Sequence, residues 1–126
     1  MKSHNSYQAI QHETADQGGI LILLYDGIIR EIRRSKKAIA NQKSPASHLL
    51  KAQMGVVELD RTLNFDANAD LAESLHQVYL HCLYVLSDVL ANNQAPPLTR
   101  IESLLLELRQ AWAEAARANR QEKRAV

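Results

Sequence analysis

The sequence predicts an all-α protein: an antiparallel up-and-down four-helix bundle with an N-terminal capping segment. Two observations lead there. Glycine and proline are scarce, four and three in 126 residues, and three breaks rich in Asn, Ser, Asp and Pro divide the chain at Asn41–Pro45, Asn64–Asp70 and Asn92–Pro97. Between the breaks, apolar residues recur at steps of three and four over segments too long for strands. Helices joined by short connections pack most simply as antiparallel neighbours with their apolar seams inside.

In the first helix, Gly18 to Ala40, the seam is Leu21, Leu24, Ile28, Ile32, Ser35 and Ile39, while Arg30, Arg33, Arg34 and Lys37 fall on another face. The second opens with Ser44 as N-cap and Pro45 at the first helical position. Its seam is Leu49, Ala52, Val56, Leu59 and Leu63. The third starts after Asn68 or Asp70 and steps through Leu71, Leu75, Val78, Cys82, Leu86 and Val89. Leu80, Leu83, Tyr84, Val85 and Leu90 widen that stripe, as expected of a helix touching several neighbours. The fourth opens on a Thr99-x-x-Glu102 capping box and carries Ile101, Leu105, Leu108, Trp112 and Ala115. Residues 1–17 form the N-terminal segment, with Tyr7 and Ile10 as apolar anchors that cap the bundle. Residues 18–119 form the bundle, and residues 120–126 a charged tail expected to fray.

Composition narrows the function. Hydrophobic residues at 46% and charged residues at 23% are those of a soluble globular domain, and a net charge of +1 gives no global field for nucleic acid or an anionic membrane. The longest apolar run, Ile20 to Tyr25, is six residues, against about twenty for a membrane span. The polar N-terminus lacks the apolar stretch of a signal peptide, so a cytoplasmic protein is the expectation. Cys82 alone makes neither a disulfide nor a cysteine cage, and on the apolar stripe it reads as an inert buried thiol.

No catalytic constellation emerges, and the expectation is a non-enzyme without cofactor or metal. Glu73 and His76 have the Glu-x-x-His spacing of a di-iron helix, but the second such pair and two further inward glutamates are missing. A histidine phosphotransfer domain is the alternative for His76, yet Leu75-His76-Gln77-Val78-Tyr79 lacks the lysine and small residues that admit a partner. A self-associating helical regulatory protein is a second alternative. The basic residues of the first helix read as a solvated face, because no stacking aromatic lies among them.

What remains is surplus apolar surface. Ile22 and Ile29, with Tyr25 between them, lie off the first seam, and Leu83, Tyr84 and Leu90 lie off the third. Such surfaces mark a helix-binding groove or a self-association face.

Leu24-Tyr25-Asp26-Gly27, the run Leu59 to Phe65, Asp70-Leu71-Ala72 with Leu75 and Tyr79, and Leu108-Arg109-Gln110-Ala111-Trp112 resemble, in order and spacing, the flagellar secretion chaperone family FliS. The resemblance spans Tyr7 to Glu114. It implies a cytoplasmic bundle that binds the C-terminal segment of unpolymerised flagellin, prevents premature filament assembly and supports flagellar type III secretion. The export gate and other flagellar regulators are further implied partners, and the chain is expected as a monomer or weak homodimer. It also implies that the N-terminal segment lies over the binding surface until flagellin displaces it. The expected client-binding residues are therefore Tyr7 and Ile10 in the cap, Ile22, Tyr25 and Ile29 on the first helix, and Leu83, Tyr84 and Leu90 on the third. For Tyr25 and Trp112, both in matched motifs, the spacing favours the core. The third helix departs from the family's usual pattern at His81, Tyr84, Val85 and Val89-Leu90, where it is more apolar.

Overall fold

The computed structural model describes the backbone of residues 2–125 and the side chains of residues 18–122. Four helices follow one another: α1 (Lys2–Ala40), α2 (Ala46–Arg61), α3 (Ala69–Asn92) and α4 (Pro96–Ala125), with no strand among the described residues. They form a four-helix bundle. α1 and α3 each pack against both α2 and α4, whereas the diagonal pairs make no close backbone approach. Contacts between neighbours run in opposite numerical order: Asp26 meets Arg109 while Arg33 and Lys36 meet Glu102. Asp60 likewise meets His76 while Gln53 meets Ser87. α1 begins at Lys2, so the division expected between residues 17 and 18 does not coincide with a helix end, and α4 continues past residue 119. The side chains of Tyr7 and Ile10 lie outside the described residues.

The helix ends follow local chemistry. α2 starts one residue later than expected: Pro45 rather than Ser44 is its N-cap, with no side-chain cap bond, and Ser44 Oγ accepts the Ala46 N–H at 3.3 Å from just outside. Asn68 caps α3, its side chain accepting the Leu71 N–H at 3.1 Å. Asn93 ends α3 in the left-handed region, at φ 53°, which asparagine tolerates better than most residues. α4 differs from expectation because it starts at Pro96. Two prolines in a first turn lose no hydrogen bond, which places Thr99 inside the helix rather than at its cap. The Glu102 carboxylate is thereby freed from capping and accepts from Arg33 Nε and Lys36 Nζ, both at 2.9 Å.

The seams of α1 and α2 bury largely as the spacing predicts: Ile28, Ile32, Leu49, Ala52, Val56 and Leu59 are in the core. The stripe of α3 is rotated. Tyr79 and Val85 are buried with Leu75, Cys82, Leu86 and Val89, while Leu71 is 50% exposed. Among the described side chains of α4 only Leu98, Ile101 and Leu105 are fully inside; Leu108 and Trp112 are partly buried and Ala115 is exposed. The core therefore thins toward the C-terminal end of α4.

Candidate functional site

Where the core thins, a cavity of about 650 Å³ opens between the stretch Gly18–Leu24 of α1, the α2–α3 connection, the start of α3 and the last turns of α4. Gly18, Gly19, Ala115 and Ala116 all line it; Gly18 comes within van der Waals reach of Ala116, whereas Gly19 borders open space. α3 and α4 also touch least of the four neighbouring pairs, so nothing closes the gap from that side. The walls are mainly apolar, including Leu21, Leu24, Leu63, Leu71 and Leu75. The volume is that of a ligand pocket, but the walls lack the convergent charged groups of a catalytic site.

A polar triad lies at its inner end, with Tyr25 and Tyr79 buried and Trp112 partly buried. Tyr25 and Tyr79 share a hydroxyl–hydroxyl hydrogen bond of 2.6 Å, and Trp112 Nε1 donates to the Tyr25 hydroxyl at 3.3 Å. Both phenols are held above their ordinary pKa, chiefly by burial, and so stay neutral. The triad ties α1, α3 and α4 together beneath the cavity. Outside, His76 Nδ1 bonds Asp60 Oδ1 at 2.7 Å and the His76 ring meets Phe65 edge-on, joining α3 to the end of α2. That hydrogen bond holds the His76 imidazole above its ordinary pKa.

The expected client residues separate into three environments. Ile22 lines the cavity. Tyr25 and Ile29 do not present a groove surface, since they are 0% and 3% exposed in the core cluster; hydrogen bonds to Tyr79 and Trp112 anchor Tyr25 there. Leu83, Tyr84 and Leu90 lie elsewhere on α3, with Leu83 half-buried against the core and Tyr84 70% exposed. α2 carries a matching row that was not expected from the sequence. Leu50, Met54 and Val57 are exposed there at steps of four and three, off the buried seam. The same periodicity that located the seam contained this signal.

Burial pushes the Cys82 thiol up to about 11, so it stays protonated. Among the described residues no cluster of three or more metal-ligating side chains occurs, and no helix is long and apolar enough to cross a membrane.

The sequence that folds into this bundle has relatives. The profile of the family described as flagellar protein FliS matches residues 1–119. The chain belongs to the FliS family. Two relatives carry the name flagellar secretion chaperone FliS. The one from Bacillus subtilis (strain 168) is 29% identical over 122 residues, covering 95% of this chain and 90% of the relative. The one from Campylobacter jejuni subsp. jejuni serotype O:6 (strain 81116 / NCTC 11828) is 25% identical over 114 residues, covering 89% of each chain. Within this FliS-family fold, the matched-motif residues Tyr79 and Trp112 line the cavity, and Tyr25 lies behind them, hydrogen-bonded to both.

Proposed function

We propose that the chain is a non-enzymatic flagellar secretion chaperone that binds the C-terminal segment of unpolymerised flagellin in the bacterial cytosol. The observation that carries this reading is the apolar cavity left open at one end of a bundle whose described buried side-chain polar atoms all have partners. A disordered client segment that folds on this surface buries apolar side chains that would otherwise drive filament assembly. Ile22 and the leucines of the cavity take one part of the segment, and Leu83, Tyr84 and Leu90 on α3 take another. Tyr25 and Ile29 support the site from the core. Tyr7 and Ile10 cover the surface until the client displaces them, and the loaded chaperone is then presented to the export gate.

Titration calorimetry of the full chain against the flagellin C-terminal segment tests the proposal, with an N-terminal flagellin fragment as control. The expected result is saturable one-to-one binding restricted to the C-terminal segment, with a negative heat-capacity change from apolar burial. Absence of binding by folded protein would remove flagellin as the client.

A further inference from the structure

The bundle holds the two halves of α4 differently. Through Leu105 the helix is anchored by fully buried residues, Leu98, Ile101 and Leu105. Beyond Leu105 no described side chain of α4 is fully buried: Leu108, Arg109, Trp112, Ala113 and Ala116 are partly buried and the rest are exposed. A helix in a protein owes most of its stability to the apolar face it buries, so little packing holds the segment after Leu105.

What holds it is a pair of polar tethers, both to α1. Arg109 grips the Asp26 carboxylate with two hydrogen bonds, Nε to Oδ1 at 2.6 Å and Nη2 to Oδ2 at 3.3 Å, and Trp112 Nε1 donates to the Tyr25 hydroxyl at 3.3 Å. Leu105, Arg109, Trp112 and Ala116 follow at steps of four, three and four, so one face of α4 carries the last fully buried residue and both tethers. At the end of that face a Cβ added to Gly18 would lie 3.8 Å from Ala116 Cβ. Toward α3 the joint is weaker. Tyr79 of α3 and Trp112 of α4 each bond Tyr25 and not one another, and α3 and α4 touch least of the neighbouring pairs.

The cavity lies on this loosely joined side. Trp112, Ala115, Ala116 and Asn119 form its α4 wall, and α3 supplies Leu71 and Leu75. Movement of this half of α4 away from α1 therefore changes the width of the cavity directly.

We infer that α4 from Leu108 to Arg120 is a hinged wall of the cavity, pivoting beyond Leu105, with the Asp26–Arg109 pair as the latch that sets it against α1. Asp26 and Arg109 are positioning residues that act on the cavity through Trp112, one turn further along α4. The inference rests on the client-binding reading only for what the opened cavity admits. The latch suits reversible opening: both partners are partly exposed, and an ion pair of that kind is modest and screened by salt, so it breaks without unfolding the buried half of α4.

Hydrogen exchange of the full chain, followed amide by amide by NMR, reads the hinge without any client. Residues 108–120 are expected to exchange as one unit, faster than residues 98–105. Asp26→Asn and Arg109→Gln should each speed exchange of residues 108–120 about fivefold, leave residues 98–105 unchanged, and together do no more than either alone. Circular dichroism checks that the variants fold. A cross-link supplies the opposite perturbation, because the Gly18–Ala116 spacing matches the Cβ separation of a disulfide, about 3.8 Å. Oxidised Gly18→Cys/Ala116→Cys should slow exchange of residues 108–120 about tenfold, and reduction should restore it. Cys82 is buried and takes no part.

Three results would overturn the inference. Exchange that rises residue by residue toward the C-terminus would mean fraying of the helix end rather than a hinge. Indifference of residues 108–120 to both Asp26→Asn and Arg109→Gln would remove the latch. Unchanged exchange in the oxidised cross-linked protein would remove the hinge. Association of the flagellin C-terminal segment, followed by stopped-flow Trp112 emission, should slow in the oxidised protein and recover on reduction. If exchange behaves as expected while the oxidised protein binds the segment as fast as the reduced one, the hinge stands and the cavity loses the client.

Discussion

Tyr25 on α1 and Tyr79 on α3 stand on diagonally opposite helices whose backbones do not approach, yet their hydroxyls meet at 2.6 Å inside the bundle. Tyr25 is the hub, because its oxygen also accepts from Trp112. Tyr25→Phe leaves two buried donors or acceptors without partners, whereas Tyr79→Phe leaves Trp112 its bond. A lost buried partner costs about 1–3 kcal/mol, so Tyr25→Phe should destabilise more than Tyr79→Phe in urea unfolding. The double variant should lose less than the two single losses together. Strict additivity would mean the hydroxyl pair carries no coupling.

Gly55 sets how closely α1 and α2 approach. A Cβ built there would overlap Ile28 Cγ1 and lie 3.0 Å from its Cδ1, and Ile28 is buried. Alanine gains up to about 1 kcal/mol of helix propensity, but overpacking a core costs about 1–3 kcal/mol. Gly55→Ala should therefore lower stability, while in an Ile28→Ala background the same change should raise it by filling the vacated space. The same sign in both backgrounds would refute the contact.

These two positions show what periodicity reveals and what it leaves hidden. Steps of three and four located the seams of α1 and α2, since a helix that buries one face must repeat its apolar residues on that face. On α3 the spacing put Leu71 in the seam and left Tyr79 out of it; the hydroxyl partner on α1, remote in sequence, holds Tyr79 inside. The same partner draws Tyr25 off the surface where a groove residue was expected. The cavity had no linear signature, because its lining comes from four separate stretches of the chain that meet only after folding. Thr99 and Glu102 fit a capping box locally, but Glu102 is claimed by Arg33 and Lys36 of α1.

His76 makes the joint between α2 and α3 sensitive to pH. The hydrogen bond it donates to Asp60, reinforced by Asp60 and Glu73 charge, raises its folded-state pKa. A raised pKa means the stabilisation is full below the unfolded value of about 6.5 and is lost as pH rises through the folded value. The gap in melting temperature between wild type and His76→Gln should therefore be widest in mild acid and close in alkali. A gap that stays constant from about pH 5 to about pH 9 would contradict the Asp60 bond.

Glu102 works in the opposite direction. Burial disfavours its charge, but Lys36 and Arg33 outweigh that cost and hold the carboxyl below its ordinary pKa. A lowered pKa gives stability that is present above the unfolded value and lost as pH falls through the folded one. Glu102→Gln should cost about 1–2 kcal/mol near neutrality, the scale of hydrogen bonds to a charged group. It should also flatten the acid limb of the stability profile. An unchanged acid limb in urea unfolding would assign that limb to other carboxylates, Glu31 first among them, since it too is held low against burial by His48 and Arg34.

Leu71 offers a way to probe the cavity without disturbing its inner end. It lines the cavity at 50% exposure, so Leu71→Asn removes apolar wall while leaving the Tyr25–Tyr79–Trp112 triad in place. Trp112 is the sole tryptophan of the chain and lines the same cavity, which makes its emission a direct report on what enters. Adding the flagellin C-terminal segment should blue-shift that emission as water leaves. Leu71→Asn should weaken the titration about tenfold, the cost of removing one well-placed apolar anchor, with little change in melting temperature. Binding seen by calorimetry while Trp112 emission stays constant would move the client off the cavity and onto the outer faces of the helices.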